Sequence, residues 1–463
     1  MCHLRAEQGR SSRQFWLLTL FIVLVFLTGG GARPDIQSLI FLRPISVIVF
    51  AFGLWTLSRE QIRNHQFLFG LLALTMGLVA SHLIPLPPEL WQRLPGRTIV
   101  TEADHLAGFG SIWRPLSLAP AETRNALFSL FVPAAVLVLA AQLNSDEKYR
   151  LIFILLGFVL LSSAIGLLQA IGPDDGPLYF YRITNAWSST GLFANRNHQA
   201  LLLAIAFPLL AVVSSATIAE RKSVSRSQTG SILLGIIIIP LLLITGSRAG
   251  VVLGMIGILM VPRYITARAT RSDHKEKSLK AEKRFIGGFV VVALLTLATL
   301  VFGRAEGISR LFNFSQRDEV RLNLWGPIGE TVSTFFPFGS GIGSFNATYR
   351  MFERAPDMDF LYMNHAHNEL LEIALTGGLP AMLIALCAFV AWGFSVRRAF
   401  FQGAVRSRSV CLSRLGVTIL GMVALSSLVD YPLRIPSIAV IAMLAAVWAS
   451  DRHKAYERQK EKS

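Results

Sequence analysis

Long apolar runs recur along this chain from Phe15 to Trp448, and they constrain its fold more than any other feature. Backbone in hydrocarbon has no water to bond, so each run must satisfy its own N–H and C=O groups, leaving helices or a closed barrel. The runs are continuous, unlike the alternating segments of roughly ten residues that build a barrel, so the spans read as helices. With 53% hydrophobic residues, the chain reads as an all-α polytopic membrane protein, and a soluble enzyme is excluded.

Spans are expected near 15–27, 41–57, 67–84, 126–143, 151–171, 201–218, 232–245, 251–261, 285–302, 370–394, 415–428 and 438–448. The apolar blocks 231–262 and 415–450 each admit one long helix or a hairpin, and charge decides. The first lies between Arg221, Lys222 and Arg226 and a basic run from Arg263 to Arg284; the second between Arg397, Arg398, Arg406, Arg408 and Arg414 and the run Arg452 to Lys462. Positive-inside bias puts both flanks of each block in the cytoplasm, which requires an even number of crossings and makes both hairpins. The expectation is about twelve transmembrane helices in a single membrane domain, 1–463, with both termini cytoplasmic. All nine lysines then fall on the cytoplasmic side, and their absence from the outer segments was no input to that assignment.

The net charge of +16 is thereby a topology signal and a match to anionic inner-leaflet lipid. The basic segments are short loops without interleaved aromatics, which argues against nucleic acid as a partner. Cys2, Cys387 and Cys411 leave the outer loops without a disulfide framework. Residues 27–32 superficially resemble a signal-peptide cleavage region, but the first span fits an uncleaved anchor.

Two outer segments are long. In 85–124 the prolines suit irregular or interfacial structure, with Trp91 and Trp113 as headgroup-level anchors. The larger, 303–366, carries Arg304, Arg310, Arg317, Arg321, Arg350 and Arg354 and the turn-rich run 336–343, and its stretch 317–332 has the spacing of a short helix lying on the membrane.

Polar motifs open three of the spans. Ala194-Asn195-Arg196-Asn197-His198-Gln199 precedes the sixth, Gly246-Ser247-Arg248-Ala249-Gly250 the eighth, and Asn364-His365-Ala366-His367-Asn368-Glu369 the tenth. All three helices run from outside to inside, so their unpaired N–H groups and positive dipole ends face outward beside Arg196, Arg248 and His367. Helix N-termini with arginine forks suit a phosphate or diphosphate, so the target reads as a polyanion at the outer leaflet. The arms of the Arg248 hairpin are about 15 residues each, short of the roughly 20 that span hydrocarbon, which predicts a tip recessed below the surface. An arginine there, like Arg43 before Pro44 in the second span, is costly unless it lines a polar cavity or meets an anion.

Each residue also has a plainer reading. His365 and His367 can be polar capping around a helix start, and an H-x-H metal site with Glu369 lacks evident third and fourth ligands. Arg196 can snorkel to headgroups, Arg317, Arg321 and Arg350 can be solvated loop charges, and Asp430 and Arg434 can pair across Pro432. Gly377 and Gly378 read as close packing or a kink.

Taken together, Gly191-Leu192-Phe193-Ala194-Asn195-Arg196-Asn197, Gly246-Ser247-Arg248-Ala249, His365-Ala366-His367-Asn368-Glu369-Leu370-Leu371-Glu372 with Gly377-Gly378, and Asp430-Tyr431-Pro432-Leu433-Arg434-Ile435-Pro436 resemble the O-antigen ligase and polymerase superfamily. The resemblance covers 85–448, with 185–434 as the ligase-like catalytic region and the large loop just before the histidine motif. It implies a GT-C type glycosyltransferase of the bacterial inner membrane, with its active site facing the periplasm. The implied donor is a glycan on undecaprenyl diphosphate. The implied acceptor is lipid A core, a growing lipid-linked chain, or a protein, with polysaccharide assembly proteins as further partners.

By motif, Arg196 and Arg248 would hold the diphosphate and His367 would act near the acceptor hydroxyl, with His365 blurring which imidazole carries that role. Arg321 or Arg317 would close over the substrate, and Asn368 and Glu369 would position His367. Charge neutralisation of a diphosphate leaving group needs no metal or cofactor, and an imidazole suits removal of a hydroxyl proton. The rivals are a transporter or flippase for lipid-linked glycan, whose charged residues would gather near the midplane in two related halves, and a noncatalytic export partner.

Overall fold

The computed structural model describes residues 2–33, 35–173, 176–186, 188–219, 224–265, 316–353, 363–402 and 408–451. Among these it is all-helical apart from one short antiparallel pair, Pro85–Leu86 against Arg114–Pro115. Six helices are long and apolar enough to cross a membrane: Leu39–Thr56, Pro120–Ala140, Ser145–Ile171, Arg196–Ser215, Glu369–Phe401 and Arg408–Ser426. Shorter apolar helices lie at Arg13–Thr28, Gln66–Ser81, Thr229–Ile244 and Pro436–Ser450. The chain is a multi-pass membrane protein. The expected span 285–302 lies outside the described residues; the other expected spans fall on helices, the fourth broken at Leu130.

Each apolar block read as a hairpin is split into two helices, Val224–Ile244 with Arg248–Ile265 and Arg408–Ser426 with Pro436–Ser450. The arms of the first have 21 and 18 residues, because the polar flanks 224–230 and 262–265 extend the helices. The apolar part of the first arm, Thr229–Ile244, is still shorter than the roughly 20 residues that span hydrocarbon.

A helix that is apolar all round has no face to give to solvent and goes to the centre. Arg196–Ser215 does so, almost wholly buried between Arg248–Ile265, Val224–Ile244, Arg408–Ser426 and Ser145–Ile171. Gly250, Gly254 and Gly257 recur about once per turn and let the Arg248 helix close on it: a Cβ at Gly250 would run into Ala200, and one at Gly257 would stand 3.0 Å from the Ala204 carbonyl oxygen. Glu369–Phe401 is peripheral and mostly unburied; Leu383, Leu386, Phe389 and Phe394 form its outward apolar stripe.

That peripheral helix, Glu369–Arg397, is kinked at Gly378, whose φ is 59°. Pro380 has no N–H for the Thr376 carbonyl, and the run 337–341 replaces what is lost. Gly341 N donates to Thr376 O at 2.9 Å, Ser340 N to Leu375 O at 2.9 Å, and Leu379 N turns to Pro337 O at 2.8 Å. Gly377 and Gly378 thus serve packing and a kink, as the sequence suggested.

The first long segment, 85–124, is more ordered than its prolines predict. Trp91 is buried, its Nε1 donating to Pro115 O at 2.8 Å, so it is no headgroup anchor; Trp113 is exposed. Arg97 is 1% exposed and donates to Leu116 O and Gly339 O at 2.7 and 3.3 Å, packed against the Trp91 and Phe335 rings. Ile342 N donates to His82 Nδ1 at 3.1 Å. The first segment and the run 337–342 therefore pack together and seat the kinked helix and, with it, the histidine motif at its start.

Candidate functional site

The histidine motif ends where the helix Glu369–Arg397 begins. Asn368 is its N-cap, the side-chain oxygen accepting from Leu370 N and Leu371 N at 3.0 and 3.1 Å, which satisfies two orphan donors. His367 precedes the cap with φ 49°, the only non-glycine positive φ among the described residues. Histidine tolerates this left-handed region better than most residues, and here it turns the ring back toward the loop after Arg408–Ser426. Glu369 N donates to Ser427 O at 2.9 Å, fastening the two segments.

The imidazoles take separate carboxylates. His367 Nδ1 lies 3.1 Å from Asp430 Oδ1, and His365 Nδ1 lies 2.9 Å from Glu372 Oε1. The ring of Tyr431 stands between these systems, 4.3 Å from the His365 centroid and 5.0 Å from that of His367.

Asp430 is 1% exposed and gathers more than one histidine. Its Oδ2 accepts from Asn195 Nδ2 at 3.2 Å and Asn197 Nδ2 at 2.9 Å. Asn197 Oδ1 in turn accepts from Ser247 Oγ at 2.8 Å. One polar chain thus runs His367, Asp430, Asn197, Ser247 and joins the starts of three helices. Arg196 and Arg248 are the first residues of Arg196–Ala219 and Arg248–Ile265, each beside a member of that chain. The Arg196 N–H donates to Asn185 Oδ1 at 3.1 Å.

The second system is ionic. Arg434 reaches Glu369 Oε2 at 3.3 Å and Glu372 Oε1 at 3.2 Å, and Glu372 Oε2 accepts from Ala366 N at 2.9 Å. Burial opposes the charge on Arg434, but Glu372 and Glu369 outweigh it and raise its pKa above the usual guanidinium value. The expected Asp430 to Arg434 pairing is therefore replaced: each reaches back to the histidine segment, one to the imidazole and the other to the glutamates. The Glu369 carboxylate is turned to Arg434, and the carboxylate at His367 Nδ1 is that of Asp430.

Other expected residues fall elsewhere. Arg43 donates to Asn125 Oδ1 at 3.1 Å, and Asn125 donates to Glu122 at 3.3 Å, so its partners lie outside the polar chain. Arg317 and Arg321 belong to the helix Gln316–Phe335, and their side chains lie outside the described residues. Among the described residues no group of three or more His, Cys, Asp or Glu has metal-site geometry.

Asp430, Tyr431, Ser247 and His198 stand in motifs the sequence singled out, but sequence alone assigned them no place in the site. Polar residues such as Asp430 in a short connection between two apolar helices were the available signal; a partner 63 positions away leaves no trace in local spacing.

Residues 232–386 match the model of a family described as O-Antigen ligase. The matched region includes Arg248, both histidines, Glu369, Glu372 and the kink, and stops short of Asp430 and Arg434. No curated protein matches the chain.

Proposed function

We propose that this chain, whose residues 232–386 match the O-Antigen ligase family model, is an inner-membrane glycosyltransferase of the O-antigen ligase and polymerase superfamily that moves a glycan from undecaprenyl diphosphate to an acceptor hydroxyl at the periplasmic face. In this reading the chain crosses the membrane twelve times with both termini cytoplasmic, and the starts of the Arg196, Arg248 and Glu369 helices face the periplasm. The observation that carries it is the polar chain from His367 through Asp430 and Asn197 to Ser247, which links the histidine to the starts of the two helices that open on Arg196 and Arg248.

His367 is the general base. With Nδ1 facing Asp430, Nε2 takes the acceptor proton as the hydroxyl oxygen attacks the anomeric carbon, and Asp430 steadies the imidazolium that forms. The glycan's bond to the diphosphate oxygen breaks, and the charge that develops there is met by Arg196, Arg248 and the helix N-termini. Arg317 or Arg321 closes over the substrate from the loop. No metal is required for these steps.

Cells carrying His367→Ala or Arg248→Ala test the proposal. Loss of surface glycan with both variants normally inserted is the expected result; normal polymer length and attachment in both would sink it and return the transporter reading. In a deletion strain, glycan stranded on its carrier identifies a ligase, and single repeat units identify a polymerase.

A further inference from the structure

His198 is a buried imidazole that the mechanism above does not use. It lies on the first turn of Arg196–Ala219, is 1% exposed, and neither ring nitrogen has a hydrogen-bond partner. Burying a polar ring without a bond is unfavourable, and an apolar side chain would fill the space without that cost. Its Nε2 stands 3.7 Å from Asp430 Oδ2, and its ring meets the edge of Tyr431 at 5.3 Å and Phe193 at 6.4 Å.

We infer that His198 is a positioning residue for His367, acting through the Asp430 carboxylate that the two imidazoles share. His367 faces Oδ1 and His198 faces Oδ2. Oδ2 already accepts two amide donors, from Asn195 and Asn197, so a neutral His198 finds no vacant lone pair and stops beyond hydrogen-bond distance. An imidazolium at 198 is a different competitor, because a charge-assisted bond to a carboxylate is stronger than an amide's. It would draw Oδ2 from the asparagines, take part of the charge that steadies His367, and repel a second proton there. Among the described residues, the titratable groups that bear on His198 include Asp430, His367, His365 and the Tyr431 phenol, and Asp430 is the anion of these. The two rings then titrate as a coupled pair. While His198 is neutral it does not compete with His367 for the carboxylate; in acid it does.

The effect on transfer rests on His367 being the base, but the sharing of Asp430 does not, so the sharing is measured directly. Full-length protein labelled with nitrogen-15 histidine is reconstituted in phospholipid vesicles, and ring-nitrogen NMR spectra are followed from about pH 4 to 8. His367→Ala and His198→Gln identify the two signals among the nine histidines. In the unaltered protein the two rings titrate in two coupled steps. In His198→Gln and His198→Phe, His367 titrates in a single step, moved to higher pH by about half a unit or more.

An unchanged His367 curve in folded His198→Gln overturns the inference. So does a His198 ring that shows no response while His367 titrates in the unaltered protein, a result that needs no variant to fold. In a transfer assay, His198→Gln is expected to hold its rate further into acid than the unaltered protein. Coupled titration in a protein that transfers no glycan would uphold the shared carboxylate and remove the catalytic reading alone.

Discussion

His365 and His367 lie two positions apart, each with Nδ1 on a carboxylate and each beside the Tyr431 ring, yet their surroundings differ in kind. His367 belongs to a network of neutral amides and a hydroxyl around one acid, reaching the starts of two arginine-bearing helices. His365 belongs to an ionic clamp in which one guanidinium ties two glutamates. Asp430 can steady the cation that His367 becomes as a base; around His365 a cation is already present in Arg434. A base needs a partner that gains when it takes a proton, and Asp430 turns its Oδ1 to His367 for that. The comparison divides chemistry from architecture across a two-residue step.

The sharpest break of that division is His367→Ala. Removing a general base lowers transfer by roughly 10²- to 10⁴-fold, measured as glycan attached per unit of inserted protein. Arg434→Met strikes the other side and acts on stability, because it leaves two glutamates side by side without their cation. Loss of one partner of a buried pair costs about 3 to 5 kcal/mol; the lower end applies here, since the Arg434 side chain is 20% exposed. Thermal unfolding in detergent reads this, and an Arg434→Met protein as stable as its parent would show that the clamp does not hold the site. Asp430→Asn comes next. It keeps the shape but removes the charge that orients His367 and supports its protonated form, which costs roughly 10- to 100-fold in transfer. Parental activity in Asp430→Asn would put the orienting group elsewhere.

The helices were legible because the bilayer makes each span declare itself as a continuous apolar run. The kink was legible from Gly377 and Gly378, while its repair by 337–341 was not, since a loop's backbone donors carry no side-chain signature. Arg196, Arg248 and the two histidines stood out as polar residues opening apolar helices. Asp430 and Arg434 were visible only as neighbours and invited a local pairing. The actual pairings cross between segments, 63 positions for Asp430 and His367, and such a choice depends on tertiary placement. Arg97 was hidden for a similar reason: in sequence it sits in a proline-rich outer segment, and only the fold shows its guanidinium buried against Gly339 O.

His365→Ala is the smallest expected effect and the most direct check on the comparison. Truncation removes the contact with Tyr431 and one bond to Glu372, but Glu372 keeps Ala366 N and Arg434, so no carboxylate is stranded. His365 Nε2 is buried without a hydrogen-bond partner, so its removal also relieves an unfavourable burial. The net loss of stability is therefore about 1 kcal/mol, and transfer stays within about tenfold of the parent. If His365→Ala instead abolishes transfer while unfolding at the parent temperature, the two imidazoles act as one catalytic unit around Tyr431, and the ionic clamp is part of the reaction site.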